Sequence, residues 1–397
     1  MRINPVDLEL RGGGIPFVST RYSGVRFLVR DGGVPVGSVQ SGAAPQELDL
    51  QSVRASAAAA TEWQLWQRSL VERLTDDADE RDAPAISVVV CTRDRPDVLD
   101  GCLRALAVQA YREYEVIVVD NASRDERTRE VAEAHRVRYV HEQRPGLDWA
   151  RNRGVDAASF DIVAFTDDDA RPDTRWLAAV GRGFASPGVY AVTGLVAPAE
   201  LETTAQWLFE DVYGGMGKGY RPRLHCRRGM RSTFTPNIYG TGCNMAFRRN
   251  TLRALGGFDP ALDAGTLAGG GGDLDMFQRV IESGGALLYR PDAVVRHVHR
   301  RTPEGLRRQL FDNGRAYSAV LWKCLCRARG LDKLRVLRTY GRWFYWWHLR
   351  RAMRRARDLE EMPIEMIRAE FIGGVLGPVL YALARRRARR LDDGVIA

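Results

Sequence analysis

The chain has no CxxC pair. Its six cysteines are scattered, and the closest two, Cys324 and Cys326, are separated by a single leucine. That spacing excludes paired-thiolate zinc sites and thioredoxin-like redox motifs, and it leaves the cysteines as reduced thiols, mostly core filler. The N-terminal residues lack the basic region, apolar core and small-residue cleavage site of a secretory signal, which argues against Sec export and for a cytoplasmic location. Long hydrophobic runs are missing too. The longest strongly apolar stretch, FIGGVLGPVLYALA at 371–384, has 14 residues, short of the roughly 18–20 that span a bilayer. Positive charge is not evenly spread. The net charge is +9, yet 23 Lys and Arg against 10 Asp and Glu fall from Arg300 onward, so this last quarter carries +13 and residues 1–299 carry −4. With no recognised nucleic-acid module beside it, such a basic tail argues against a nucleic-acid partner.

What is present is a globular composition, 45% hydrophobic and 27% charged over 397 residues, enough for one large core with appendages. Residues 1–50 read as a small β module, with a hairpin turn at Asp31-Gly32-Gly33 where glycine supplies positive φ. Within 51–84, ASAAAATEWQLWQRSLVERL places Trp63, Trp66, Leu70 and Leu74 at helical spacing, as a helix laid against the main domain; TDDADERDAP follows as an acidic linker. From Ala85 the rhythm changes. ISVVVC, EVIVVD, VRYVHE and DIVAFT are apolar strands separated by helices that start near Pro96, Arg124 and Leu147. This alternation makes βαβ units and a mostly parallel sheet over 85–301. Residues 302–397 read as a basic helical region.

In such sheets ligands bind beyond the carboxyl ends of the strands. The groups delivered there are Thr92 and Asp94 after the first strand, Asp120 after the second, and Asp167, Asp168 and Asp169 after the fourth. In extended backbone Asp167 and Asp169 share a side, a frame suited to Mg²⁺ or Mn²⁺, which take oxygen ligands together with substrate phosphates; Asp168 lies between them, on the nucleotide-sugar side or as a structural member. Asp120 can accept the imino N–H of a base, or cap a turn. Arg151, one turn after Asp148, can clamp a phosphate through its planar fork or form a surface ion pair. Asp273 opens a helix after the glycine-rich AGGGG, a run able to order over substrate; it can serve as a general base or as a simple N-cap. His297 and His299 point to one side of an extended segment, as metal ligands or as structural histidines.

SVVVCTRDRP, VIVVDNAS, GLDWARNRG, VAFTDDDARP, TGCNMAFRR, GGFDP, GGGGDLDMFQRVIESGG and VVRHVHRR together resemble family 2 glycosyltransferases. Singly each is a weak signal; in this order, from about Ile86 to Arg301, they are specific. The resemblance implies an α/β, GT-A (nucleotide-diphospho-sugar transferase) domain and an inverting, metal-dependent transfer from a nucleotide-diphospho-sugar donor to an acceptor hydroxyl. The acceptor would be a glycan, a lipid-linked sugar or a natural product, as in cell-envelope polysaccharide synthesis. It implies that Asp120 binds the base with Thr92 and Asp94 in the loop beneath it, that Asp167 meets the ribose and diphosphate, and that Asp169 coordinates the metal. His297 or His299 completes the metal contacts, and Asp273 is the general base. Two departures stand out. Gly272 occupies the position where the family has Glu, with Asp275 the candidate to replace it, and TRDR stands where the family tends to an aromatic and Asn.

No Ser-His-Asp or Cys-His arrangement is evident, and inversion requires none: a base and a stabilised leaving group suffice. A sugar-1-phosphate nucleotidyltransferase would carry a glycine-rich phosphate loop after the first strand, which CTRDRP lacks. A non-catalytic sugar-nucleotide-binding protein is the other alternative, suggested by Gly272. In the tail, Trp343, Phe344, Tyr345, Trp346 and Trp347 lie among arginines, and the apolar 371–384 run leads into five arginines. That pattern suits an interfacial helix on the inner face of an anionic membrane, or a helical cap on the catalytic domain. The basic stretch at 214–236 reads as a solvated loop, or as the site of an anionic acceptor.

Overall fold

The computed structural model describes residues 2–11, 22–42, 47–66, 68, 83–227, 234–262, 264–355 and 361–393. The apolar runs after Ala85 become strands of a nine-stranded sheet, whose central runs, ISVVVC and DIVAFT, are buried along nearly their whole length, whereas the edge run VRYVHE is largely half-buried or exposed. In β4 (Ile86–Thr92), Val88 and Val90 join the hydrophobic cluster on one face while Val89 joins that on the other, the two-residue alternation of a strand covered on both sides. After α2 (Pro96–Ala107) come β5 (Tyr114–Asn121), α3 (Arg127–Ala134), β6 (Arg138–Glu142), α4 (Leu147–Ala157) and β7 (Ile162–Asp167). The strands β4, β5, β6 and β7 are all mutually parallel.

The second half of the sheet is mixed. It contains β8 (Ala170–Pro172), α5 (Trp176–Gly183), β9 (Val189–Pro198), β10 (Arg223–His225), β11 (Met245–Arg248) and β12 (Ala286–His297). The order is β10-β12-β9-β11-β7-β4-β5-β6, with β8 pairing β12 off this path. Strand β11 runs antiparallel to both β7 and β9, whereas β12 is parallel to β9. Helices α6 (Thr204–Trp207), α7 (Arg249–Ala254) and α8 (Gly272–Glu282) complete the domain. The expected α/β, GT-A architecture is present.

A separate three-stranded sheet joins β1 (Ile3–Glu9) in parallel to β2 (Gly24–Asp31), which turns through Gly32 and Gly33, both at positive φ, into antiparallel β3 (Val34–Ser41). It is tied to the large sheet by Arg30, which donates to Asp7 and Asp173, and by Arg296, which donates to Asp7. Helix α1 (Leu50–Ala60) begins earlier than the sequence suggests, where Asp49 accepts from the Gln51 amide. It packs Ala57 on Phe27 and Val36 of the small sheet rather than on the main domain. Trp63 and Trp66 stack on each other at 4.9 Å and remain more than half exposed. Leu70, Leu74 and most of the acidic linker lie outside the described residues.

The tail is helical: α9 (Pro303–Arg327), α10 (Leu331–Trp343), α11 (Arg350–Arg355) and α12 (Ile364–Asp392). Helices α9 and α12 approach until backbone meets backbone. A Cβ on Gly314 would lie 2.1 Å from the Glu370 carbonyl, and one on Gly373 equally close to that of Phe311. The 29-residue α12 corrects the short apolar run as a measure of reach: by length and hydropathy it suffices to cross a bilayer, although 44% of its apolar window is buried in the protein. Part of the aromatic cluster is core rather than surface: Trp343 meets Tyr317 and Tyr340 edge-on.

Candidate active site

The three aspartates end β7, whose pairing with β4 and β11 fixes where they emerge. Asp167, Asp169 and His297 bring one ligand atom each within 4.8 Å of one another. Strand β12 supplies His297, and its antiparallel pairing with β8 sets the imidazole opposite the acids, with His297 Nε2 3.3 Å from Asp169 Oδ1. His299 stands outside this group. Its Nε2 lies 3.0 Å from Glu210 Oε2 and its Nδ1 3.3 Å from His297 Nδ1. A carboxylate can only accept, so His299 donates from Nε2, and its bare Nδ1 then accepts from His297 Nδ1. His297 Nε2 is left to face Asp169, either protonated against the carboxylate or, as neutral imidazole, with its lone pair available to a cation. Glu210 and this relay carried no signal in the sequence.

Arg95, from the TRDR segment, crosses the acids: it donates from one nitrogen to Asp168 at 2.5 Å and from another to Asp169 at 3.0 Å. Burial acts to raise the Asp169 carboxyl, but the hydrogen bond and charge of His297, with Arg95, outweigh it and hold the group well below the usual range. Burial and the Asp169 charge push Asp167 up. Asp168 is pushed up by burial to about 6, against Arg95 and the hydroxyl of Thr92, which donates at 2.7 Å. Asp168 thus braces Thr92 and Arg95 and is not among the three residues whose ligand atoms converge. Two carboxylates and an imidazole offer the hard-oxygen and nitrogen donors that Mn²⁺ or Mg²⁺ accepts, so the residues present fit such an ion.

A cavity of about 1090 Å³ opens along this edge, lined by Thr92, Arg95, Asn121, the three aspartates and His297. A second, of about 570 Å³, holds Arg151, Lys218 and Asp273. Asp167 lines both, so the candidate metal group sits where two chambers meet. Asp120 and Asp94 line neither. The buried Asp120 accepts from the Ser123 amide and the Tyr139 hydroxyl, so both oxygens are engaged within the protein. Asp94, at positive φ, accepts from the Arg124 amide and pairs with Arg93 and Arg124. Both aspartates hold the loops under the first cavity, which Arg93, Arg95 and Asn121 of those loops line.

The second chamber is organised from α4 and α8. Gly154 lets α4 rest on β4, since a Cβ there would lie 2.4 Å from Val89 Cγ1. That close approach buries Asp148 and Arg151, whose guanidinium donates to Asp148 at 2.9 Å. The pair is interior, not a surface bridge. Burial pushes Asp148 up to about 7 against the pull of Arg151, with Asp273 adding to the rise. Arg151 Nη2 and Asp273 Oδ2 both come within 3.2 Å of the place a Gly242 side chain would take. Asp273, in the first turn of α8 and partly exposed, faces this chamber. Gly269, Gly270 and Gly271 before it all have positive φ, and Gly269 and Gly271 press on Arg315 and Val320 of α9. Asp275 is not a partner for Asp273: fully buried, it pairs with Arg279, Lys323 and Arg327. Burial lowers the Lys218 ammonium, against the attraction of Asp273. All six cysteines are reduced thiols, with Cys102, Cys243 and Cys324 buried.

Residues 87–256 match the glycosyl transferase family 2 model. The chain is 26% identical over 235 residues to glycosyltransferase AglE of Haloferax volcanii, covering 57% of this chain and 71% of that one. It is 29% identical over 239 residues to the pre-mycofactocin glycosyltransferase of Mycobacterium tuberculosis, covering 58% of this chain but 46% of that one. Among solved structures, the mannosyltransferase PcManGT of Pyrobaculum calidifontis, in complex with GDP-Man and Mn²⁺, superposes with a TM-score of 0.51 at 21% identity, covering 85% of this chain and 96% of that one.

Proposed function

The chain belongs to glycosyl transferase family 2 and is a glycosyltransferase, and on that premise we propose that it transfers a sugar with inversion from a nucleotide-diphospho-sugar to an acceptor hydroxyl. The observation that carries this reading is the Asp167, Asp169 and His297 group at the junction of two cavities, with Asp273 in the second. These three residues would hold Mn²⁺ or Mg²⁺, whose Lewis acidity stabilises a departing diphosphate. The larger cavity takes the nucleotide over the loops braced by Asp94 and Asp120, with Thr92, Asp168 and Arg95 as its walls. Arg151 supports the diphosphate side from below. In the smaller cavity Asp273 accepts the proton of the acceptor hydroxyl. The freed oxygen bonds to the anomeric carbon on the face opposite the leaving group, and the carbon–oxygen bond to the diphosphate breaks.

The solved relative's complex with GDP-Man and Mn²⁺ agrees with such a donor and ion for this chain. The acceptor is approached from the side of α12, whose Glu370 lines the smaller cavity and whose Arg387, Ala388 and Leu391 line the adjoining larger one. An exposed row of Phe371, Ile372, Val375, Leu376, Val379 and Leu383 continues along that helix, suited to the inner face of an anionic membrane and to a lipid-linked acceptor.

The test is a thermal-shift series with UDP-, GDP- and dTDP-sugars with and without Mn²⁺, followed by donor hydrolysis. Stabilisation that needs both sugar nucleotide and metal names the donor class. Asp169→Asn should abolish the metal-dependent part. Asp273→Asn should retain binding and lower turnover about 10²–10⁴-fold, the usual contribution of a general base. Binding without turnover in the wild type would make this a sugar-nucleotide-binding protein. Pyrophosphate release from a nucleoside triphosphate and a sugar 1-phosphate would make it a nucleotidyltransferase.

A further inference from the structure

Helix α8 opens with Gly272, immediately before Asp273, and has no side chain at its first position. The space that a side chain would enter is filled by a carboxylate from another helix. An ideal Cβ on Gly272 would lie 1.8 Å from Asp148 Oδ2, 2.6 Å from its Cγ and 2.7 Å from Oδ1. These are covalent-range separations, so no residue but glycine fits beside Asp148 as it stands. The glycine is not there for its φ, because Gly272 is not among the positive-φ residues, while Gly271 before it is. Its role is to make room.

The carboxylate admitted by that room is fully buried behind the second chamber's wall and holds the buried Arg151, which lines it. Arg151 in turn reaches the point beside Gly242 that Asp273 also reaches. Asp148 thus holds Arg151 at the wall of the second chamber, where Arg151 and the partly exposed Asp273 converge on one point. Lone buried carboxylates and guanidinium groups are costly, so the Asp148–Arg151 pair holds each partner in place. We infer that Asp148 is the second acid of the base helix, delivered from α4 instead of from position 272, and that it positions Arg151 and Asp273 for proton abstraction. It is a positioning residue, not one that touches the acceptor, and the inference rests on the glycosyl-transfer reading above.

The geometry makes a reciprocal prediction. Gly272→Ala should lower the melting temperature by several degrees in the wild type, because the new methyl collides with Asp148. In an Asp148→Ala background the same change should be neutral or stabilising, since alanine is the better residue in a helix. For function, Asp148→Asn, which keeps the shape and an acceptor oxygen for Arg151, should lower kcat for hydrolysis of UDP-glucose or GDP-mannose with Mn²⁺ at least tenfold. KM for the donor should stay within about threefold, since the Asn oxygen still holds Arg151 at the diphosphate side. The double change Asp148→Ala with Gly272→Glu, returning the acid to α8, should exceed Asp148→Ala in kcat by tenfold or more. Wild-type kcat in Asp148→Asn overturns the inference, as does additive behaviour of Gly272→Ala in the two backgrounds. If the double variant fails to fold, the Asp148→Asn result decides alone. A wild type that hydrolyses neither donor strikes the glycosyl-transfer reading, and the inference falls with it; an active wild type with an indifferent Asp148 strikes only the inference.

Discussion

Two unit charges about 4 Å apart repel by roughly 4 kcal/mol near a protein surface, so Asp167, Asp168 and Asp169 cannot stand together without cations. In this protein Arg95 answers two of them and His297 a third contact. Arg95 therefore occupies ground that a metal and its diphosphate would claim. Removing it by Arg95→Ala should lower the melting temperature of the metal-free protein and enlarge the stabilisation produced by Mn²⁺ alone, because the ion then has no competing guanidinium on Asp169. A titration of Mn²⁺ against melting temperature checks this; an unchanged Mn²⁺ response would show that Arg95 and the ion do not compete. Local spacing was enough to read Asp167 and Asp169 as a pair, because strand alternation puts them on one side; the histidine came from the resemblance, which left His297 and His299 open, and the structure brings His297 to the pair. Spacing was not enough for Asp120, whose oxygens are taken by the Ser123 amide and by Tyr139 of the neighbouring strand, nor for Asp148, whose encounter with Gly272 joins residues 124 positions apart. Such partners are set by tertiary packing, which a period of two or 3.6 does not encode.

At the level of elements, helix α8, which carries Asp273, is clamped to the tail by charge. Lys323 of α9 pairs with Asp275 at 3.0 Å and with Asp259 at 2.5 Å, and Tyr381 of α12 donates to Asp259 at 3.0 Å. Burial acts to raise the Asp259 carboxyl, but Lys323, the Ala261 amide and Tyr381 hold it below its ordinary value. Because the folded value is the lower one, this clamp contributes its full stability above the unfolded-state value near pH 4 and loses it as the pH falls through the folded value. Asp259→Asn should cost about 1–3 kcal/mol at pH 7, the penalty for leaving a buried hydrogen-bonding group without its partner. The difference from wild type should shrink as the pH is lowered from 5 toward 3. Chemical denaturation at a series of pH values measures it; a difference that widens on acidification would contradict the clamp. The strands and helices of 86–167 were legible from apolar periodicity and Pro96 alone. The packing of α9 on α12 was not, because it depends on Gly314, Gly373 and Gly377 meeting carbonyls across the crossing, and glycines inside a helix read locally as weak points.

Across the whole molecule, charge and apolar surface are concentrated on the same flank. The tail carries the +13 excess, α12 leaves its Val375 and Val379 half exposed or more, and its arginine-rich end borders the larger cavity through Arg387. A helix able by length to cross a bilayer would have to leave α9 to do so, giving up a crossing in which a Cβ at Gly377 already lies 2.4 Å from the Arg315 carbonyl. Lying on the surface keeps that contact and still buries the exposed row, with each arginine near anionic headgroups contributing about 1 kcal/mol. The protein should therefore float with phosphatidylglycerol vesicles and only weakly with neutral phosphatidylcholine ones, and high salt should weaken the binding without removing its apolar part. Val375→Glu with Val379→Glu should reduce flotation on phosphatidylglycerol at least tenfold while leaving the melting temperature and donor hydrolysis near wild type, because neither side chain faces α9 or the cavities. Carbonate washing of cell membranes should release the wild-type protein, as expected for a helix on the surface; retention after washing would mean that α12 leaves its partner and spans. Equal flotation of the double variant would remove α12 as the membrane face and leave its exposed row as the outer side of a helical cap.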